Sequence, residues 1–342
     1  MAKEHPHLLS ALPLVLALVV SGFLVNRYIQ ERALHALPKG FTKFNLSDPV
    51  PSCGRWKEHM PATRDPAAYQ LYIEGRKIWR SKIGWQLSRE ETTRILTDVS
   101  EAADTGDWGA QALMAHFYLY GLGVLESNHV LDPAPEKAIQ IQRMAANAGQ
   151  PWGLYDLGVA YEHGYGSVPI DEDIAWAYYL RAAQLGSPDA QMALASAYKR
   201  AGRLADEGTM QRCAYLQGHG AAAYELGMSA KVEGRLDEAI HTFQEGVKLG
   251  DSKCASVLWL LFDGQHSTTT NNRQGTALKL LGLSADPARS MRYRALTEAL
   301  EQNPDLRLDR LDKVLPLPPA PLPLWTGIED AISPEPSGPP TY

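Results

Sequence analysis

The 342-residue chain has few cysteines, no basic run and no catalytic signature. Its three cysteines, Cys53, Cys213 and Cys254, are too few for a disulfide-built scaffold. They also stand too far apart for a C-x-x-C zinc site. No five consecutive residues are Lys or Arg, and 33 basic against 39 acidic residues leave a net charge of −6. That balance excludes the basic footprint expected of a nucleic-acid binder. G-x-S-x-G, H-E-x-x-H and P-loop motifs are absent, so neither an enzyme nor a metal or cofactor site is expected. Core-forming residues are not lacking: 45% are hydrophobic and 21% charged, a composition that can fold. The length allows roughly one to three domains.

One long apolar run stands at the start. Leu8 to Asn26 is 19 residues without a charge, about 28 Å as a helix against a hydrocarbon core of about 30 Å. A cleaved signal peptide would also carry such a run, but no A-x-A-like site closes it, and it ends in Asn26-Arg27-Tyr28. The expectation is a single-pass signal anchor. The flanking charges, Lys3 on one side and Arg27, Arg32 and Lys39 on the other, would by themselves place the C-terminal side in the cytoplasm. An apolar N-terminal run with a basic start normally directs export, however. The expected location is therefore a bacterial inner membrane, with the soluble domain in the periplasm.

Residues 106–264 repeat. With Gly106, Gly149, Gly186, Gly218 and Gly250 as origins, the spacings are 43, 37, 32 and 32 residues. Four positions before each origin the residue is small: Ala102, Ala145, Ala182, Ala214 and Gly246. Four after, it is small again: Ala110, Gly153, Ala190, Ala222 and Cys254. Eight after, it is apolar: Met114, Leu157, Leu194, Leu226 and Leu258. Nine after, it is Ala115, Gly158, Ala195, Gly227 and then Trp259. Small columns let two helices approach closely while apolar columns fill the groove. A glycine can end the second helix of each pair in a left-handed cap. The pattern predicts an all-α solenoid of antiparallel helix pairs.

Tyr161-Glu162-His163-Gly164-Tyr165-Gly166-Ser167-Val168-Pro169, followed by Asp171, Ala175 to Ala183 and Gly186, resembles a full Sel1-like repeat. Tyr120 to Val124 with Pro135 to Ala138 resembles the same unit with a longer inter-helix loop. Gly234 to Ile240 is more similar to a plain tetratricopeptide turn. The resemblance implies a Sel1/TPR-like α-solenoid and, for function, protein–protein interaction.

The flanks complete the expected plan. Residues 1–30 are read as the transmembrane anchor and 31–66, which lack periodicity, as a linker. Residues 67–302 are read as the solenoid with its terminal capping helices, and 303–342 as a proline-rich extended arm. Ser88 and Glu91 form a capping box. Asp286-Pro287 opens a closing helix. In Leu315 to Trp325 the prolines impose an extended chain. Leu317, Leu322, Leu324 and Trp325 are expected to anchor it to the solenoid. This ending is similar to that of anchored Sel1-repeat proteins of Gram-negative bacteria, whose genes often adjoin type VI secretion effectors, phospholipases among them; some are the matching immunity proteins.

Other polar groups have plain structural readings. His116 and His163 are expected at the surface or groove, not as a ligand pair. Asp171-Glu172-Asp173 opens a helix, where acids favour the dipole. Trp176, Tyr178 and Tyr179 are read as repeat core. Cys254 is read as inert packing, and a bond between Cys213 and Cys254, about one repeat apart, is left open. The first helix of each unit should line a concave groove. Positions seven, ten and thirteen after the origins fall outside the packing columns there: Asp156, Ala193, Glu225; Val159, Ser196, Met228; Glu162, Lys199, Lys231. The expected partner contacts are Asp156, Glu162, Ser196, Lys199, Glu225, Met228 and Lys231. Two functions fit: an immunity protein that occludes a secreted effector such as a lipase or phospholipase, or an adaptor of an envelope complex with no toxin partner.

Overall fold

The structure, a computed structural model, describes residues 36–263 and 281–332. The apolar run Leu8–Asn26 lies outside them, as do Leu278 and Leu280. Among the described residues there are thirteen α-helices, no β-strand beyond the isolated Leu122–Leu131 bridge, and no helix long and apolar enough to cross a membrane.

Twelve helices form six successive pairs: α1 (Pro66–Ser81) with α2 (Arg89–Asp104), α3 (Trp108–Tyr120) with α4 (Pro135–Asn147), and α5 (Pro151–His163) with α6 (Glu172–Gln184). Then come α7 (Pro188–Arg200) with α8 (Leu204–Tyr215), α9 (Gly220–Val232) with α10 (Leu236–Lys248), and α11 (Ser252–Asp263) with α12 (Pro287–Gln302). The single turn α13 (Leu311–Val314) follows. Ser88 and Glu91 make the expected capping box at α2, and Asp286 caps α12 ahead of Pro287.

The glycine origins are where one pair ends and the next begins. Gly106, Gly149, Gly186, Gly218 and Gly250 have φ of 97°, 77°, 95°, 89° and 91°, the left-handed region that a side chain disfavours. The next amide closes the turn onto the small residue four before the origin. Asp107 N donates to Ala102 O at 3.0 Å, Ser187 N to Ala182 O at 2.9 Å and Asp251 N to Gly246 O at 3.0 Å. That same next residue caps the following helix: Asp107, Ser187, His219 and Asp251 each accept from the amide three positions on. The two small columns face each other, since a Cβ on Gly153 would lie 2.5 Å from Ala145 Cβ. The column nine after the origin has a different cause. A Cβ on Gly158 or Gly227 would strike the ring of Tyr179 or Phe243 at 2.6 Å.

Residues 36–65, expected to be a linker, pack as an extended strap. Phe41 meets Tyr178 edge-on with centroids 4.9 Å apart, and Phe44 stacks on Trp176 at 5.2 Å. Arg203 donates to the carbonyls of Leu46 and Asp48. Cys53 is disulfide-bonded to Cys213, 160 residues away, while Cys254 is free and buried. The open question of a Cys213–Cys254 bond is thus answered by a different partner. Trp56, 5% exposed, joins three units: its amide donates to Gln217 Oε1 at 2.9 Å, its ring meets Trp108, and its backbone abuts Gly186. Such one-off contacts have no period for a sequence pattern to reveal.

The C-terminal arm also packs. Leu308, Leu311, Leu315 and Ala331 are fully buried, with Leu317, Leu322 and Trp325 against the same cluster. Prolines have carbonyls but no N–H to pair in a ladder, and arginines of α12 supply the donors. Arg289 donates to Pro316 O and Ala320 O, and Arg292 to Val314 O and Pro323 O. Leu324 departs from expectation, being 84% exposed. A proline-rich extended chain has three residues per turn, so Leu322 and Trp325 share the packed face and Leu324 between them turns out.

Finally, the two ends of the array meet. Arg76 of α1 donates from Nε and Nη2 to the Asp305 carboxylate at 2.8 Å each, and Arg80 adds a contact at 3.1 Å. Gln302 Nε2 donates to Ser81 O at 2.7 Å. Side-chain exposure is 7% for Arg76 and 9% for Asp305. Burial alone would raise the Asp305 carboxyl; the Arg76 hydrogen bonds and the Arg76 and Arg80 charges outweigh it and hold it below the usual carboxylate range.

Asp305→Ala leaves Arg76 buried without its carboxylate and should destabilise the fold by about 3–5 kcal/mol in chemical denaturation; a change under about 1 kcal/mol would mean the ends separate freely. For the arm, Trp325→Ala should lower the melting temperature and Leu324→Ala should leave it unchanged. Equal effects from the two would show that the arm is not seated by Trp325.

Candidate functional site

The sequence-predicted contact residues lie on the first helices of three pairs: Asp156 and Glu162 on α5, Ser196 and Lys199 on α7, and Glu225, Met228 and Lys231 on α9. The structure divides them among four environments. Lys199 pairs with Glu207 at 3.2 Å and with Glu225 at 3.7 Å, at the end of a cleft of about 870 Å³ between α8 and the α9–α10 pair. Hydrogen bonding to Glu207, then its charge, raises the Lys199 ammonium. Met228 and Lys231 border a smaller apolar cavity of about 200 Å³ with Tyr224, Phe243 and Val257. Ser196 is exposed and bonds only within its helix, to Met192 O at 3.0 Å.

Asp156 and Glu162 belong to an acidic, tyrosine-walled region along α5. Tyr179, reached from α6, donates to Glu162 Oε2 at 2.5 Å, and its ring lies 5.5 Å from that of Tyr155. Tyr165 donates to the backbone carbonyl of Asp156 at 3.2 Å. Asp189, in the first turn of α7, adds a third carboxylate. Its neighbour is His219, with Nε2 at 3.3 Å. His219 Nδ1 accepts from Ala222 N, so Nε2 is the ring nitrogen turned to Asp189.

Among the described residues neither Asp156 nor Glu162 has an ion-pair partner. Burial and then the Asp189 charge push the Asp156 carboxyl up to about 7. Burial also raises the Tyr155 hydroxyl, with Asp189, Asp156 and Glu162 adding to it. Sequence reasoning found Asp156 and Glu162 but not Tyr155, Tyr165 or Asp189. Tyr179 packs as repeat core, as expected, and only its hydroxyl reaches the region.

The other motifs are structural. Asp171 caps α6 and Asp173 pairs with Lys43 of the strap at 2.6 Å. His116 lies among Trp79, Phe117 and Tyr120, and His163 ends α5. Among the described residues no group of three His, Cys, Asp or Glu could hold a metal ion.

The Asp156 shift has a definite sign. The folded state keeps a proton that the unfolded chain releases, so stability falls as pH rises from about 4 to about 7 and then levels. Asp156→Asn removes that loss. It should stabilise the protein by about 2–4 kcal/mol at pH 8, with the gain shrinking toward pH 4. A pH-independent difference in denaturation midpoints would show that Asp156 is well solvated.

A family profile described as a domain of unknown function (DUF6396) matches residues 255–333. No curated protein matches the sequence. Solved structures do match. Pseudomonas aeruginosa 5086 (PA5086) aligns with a TM-score of 0.63 and 25% identity over 80% of this chain and 97% of that one. Immunity protein Pa5087 from Pseudomonas aeruginosa gives 0.60 and 25% over 79% and 95%. Immunity protein PA5088 from the same organism gives 0.59 and 24% over 79% and 95%, a likeness of fold. The chain thus resembles the Sel1-like repeat proteins in its unit motif and these Pseudomonas aeruginosa proteins in its fold.

Proposed function

We propose that the chain is an immunity protein: it binds a toxic secreted effector, a lipase or phospholipase of a type VI system, and blocks it by occlusion. The observation that carries this reading is the likeness to immunity protein Pa5087 over 79% of this chain and nearly all of that one. Two further features support it. Disulfides such as Cys53–Cys213 persist in oxidising compartments such as the periplasm. An anchor formed by Leu8–Asn26 would hold the protein at the membrane where a lipid hydrolase acts, raising its local concentration. Partner contact falls on the face of α5, α7 and α9, through Asp156, Glu162, Ser196, Lys199, Glu225, Met228 and Lys231.

The test is stoichiometric. Capture from detergent-solubilised membranes should yield a lipid hydrolase in an equimolar complex, and one equivalent of the chain should abolish its activity. A hydrolase fully active when saturated with the chain contradicts occlusion. Ser196→Trp adds bulk on the face without removing a tertiary contact, and should weaken the complex at least about tenfold, or roughly 1.4 kcal/mol. Unchanged affinity would move the contact elsewhere.

A further inference from the structure

Three helix pairs treat one position of the repeat in three ways. Thirteen residues after the glycine origin stand Glu162, Lys199 and Lys231. In the α5–α6 pair Glu162 accepts the Tyr179 hydroxyl at 2.5 Å. In the α7–α8 pair Lys199 meets Glu207 at 3.2 Å. The α9–α10 pair offers neither partner. Seven residues before the next origin, Tyr179 is replaced by Phe243, which has no hydroxyl. Eleven residues before it, Glu207 is replaced by Ala239. Among the described residues Lys231 has no ion-pair or hydrogen-bond partner.

The missing side chains leave a space. The cavity of about 200 Å³ between α9, α10 and α11 is lined by Lys231 and Ala239, with Tyr224, Met228, Phe243 and Val257 among its other walls. Lys231 is the one charged residue among its described lining residues. Ala239 is 2% exposed, so the side of the cavity where Glu207 stands in the preceding pair is deep in the fold. Protein interiors hold few voids larger than a water molecule. An apolar void of about 150 Å³ takes up benzene, which has six carbons, so this one takes roughly eight. A second ammonium stands nearby: Lys253 Nζ lies 5.6 Å from the Tyr224 ring centroid, and it too has no ion-pair partner among the described residues.

The chemistry of a suitable occupant follows. It must be apolar along most of its length, to replace water against the aliphatic and aromatic walls. It must carry an anion at one end, to give Lys231 what Glu207 gives Lys199. An aliphatic side chain meets only the first demand and an acidic side chain only the second. We propose that this cavity binds a medium-chain fatty acid of about eight carbons, with its carboxylate on Lys231 and its hydrocarbon chain among Met228, Phe243 and Val257. The proposal is independent of the immunity reading, since it needs no effector and draws only on the α9–α11 helices.

The experiment uses the full chain in nanodiscs, labelled with methyl-¹³C methionine, with the Met228 signal assigned by Met228→Leu. The probes are octanoate, octylammonium and butanoate, all below micellar concentrations. Octanoate should shift the Met228 signal saturably. Octylammonium, with the same chain and the opposite charge, should bind at least about tenfold more weakly. Butanoate, four methylenes shorter, should bind at least about thirtyfold more weakly. Ala239→Glu supplies from within the carboxylate that Glu207 supplies in the preceding pair, and should abolish the octanoate response with helical circular dichroism unchanged. Lys231→Met keeps the cavity and removes its charge, and should bring octanoate and octylammonium within about threefold of each other. Absence of a saturable octanoate shift, equal binding of octanoate and octylammonium by the parent chain, or a preference for octanoate that survives Lys231→Met would each overturn the assignment. Because no effector enters the assay, its failure leaves the immunity reading standing.

Discussion

The buried pair between Arg76 and Asp305 holds together an array that its own architecture would leave open. Units of a solenoid touch only their neighbours, so nothing in the repeat itself fixes the first unit against the last. Arg76, with Arg80 and the Gln302–Ser81 hydrogen bond, makes that connection across more than two hundred residues. Both partners are nearly fully buried, so the contact does not loosen gradually: separation would strand charges away from water. The strap adds a second long-range tie through Trp56 and the Cys53–Cys213 bond. With ends and middle fixed, the first helices α5, α7 and α9 are held in place, which would reduce the ordering cost of binding the proposed partner.

Periodic features of this fold were legible in the sequence and solitary ones were not. The small columns around each glycine origin recur because every pair makes the same close approach, as between Ala145 and Gly153. Five repetitions expose such a pattern. The residue directly after each origin caps the next helix in four of five units, as Asp107, Ser187, His219 and Asp251, chemically varied enough to hide, while Gln150 makes no such cap. The strap residues Phe41, Phe44, Cys53 and Trp56 each meet a different surface once, so nothing in their spacing distinguishes them from a free linker. In the arm the proline pattern announced an extended chain, yet its three-residue turn seats Leu322 and Trp325 and leaves Leu324 outside.

The face of α5, α7 and α9 shows the same division. Positions outside the packing columns pointed to Asp156 and Glu162, since failing to pack is visible in a sequence. Asp189 and Tyr165, which complete their surroundings, come from other elements. Lys199 and Glu225 are largely answered by ion pairs within the protein. Asp156 is not, and its carboxyl is raised by burial and by Asp189. Among the described residues no donor reaches the Asp156 carboxylate, a departure from local consistency of the kind that marks functional positions.

The most direct test is hydrogen–deuterium exchange of the chain alone and saturated with the proposed effector. Slowed exchange concentrated in α5 and α7, around Asp156 and Asp189, is the expected result. Slowed exchange confined to the strap, the proline arm or the second helices of the pairs would contradict the inner face as the partner surface.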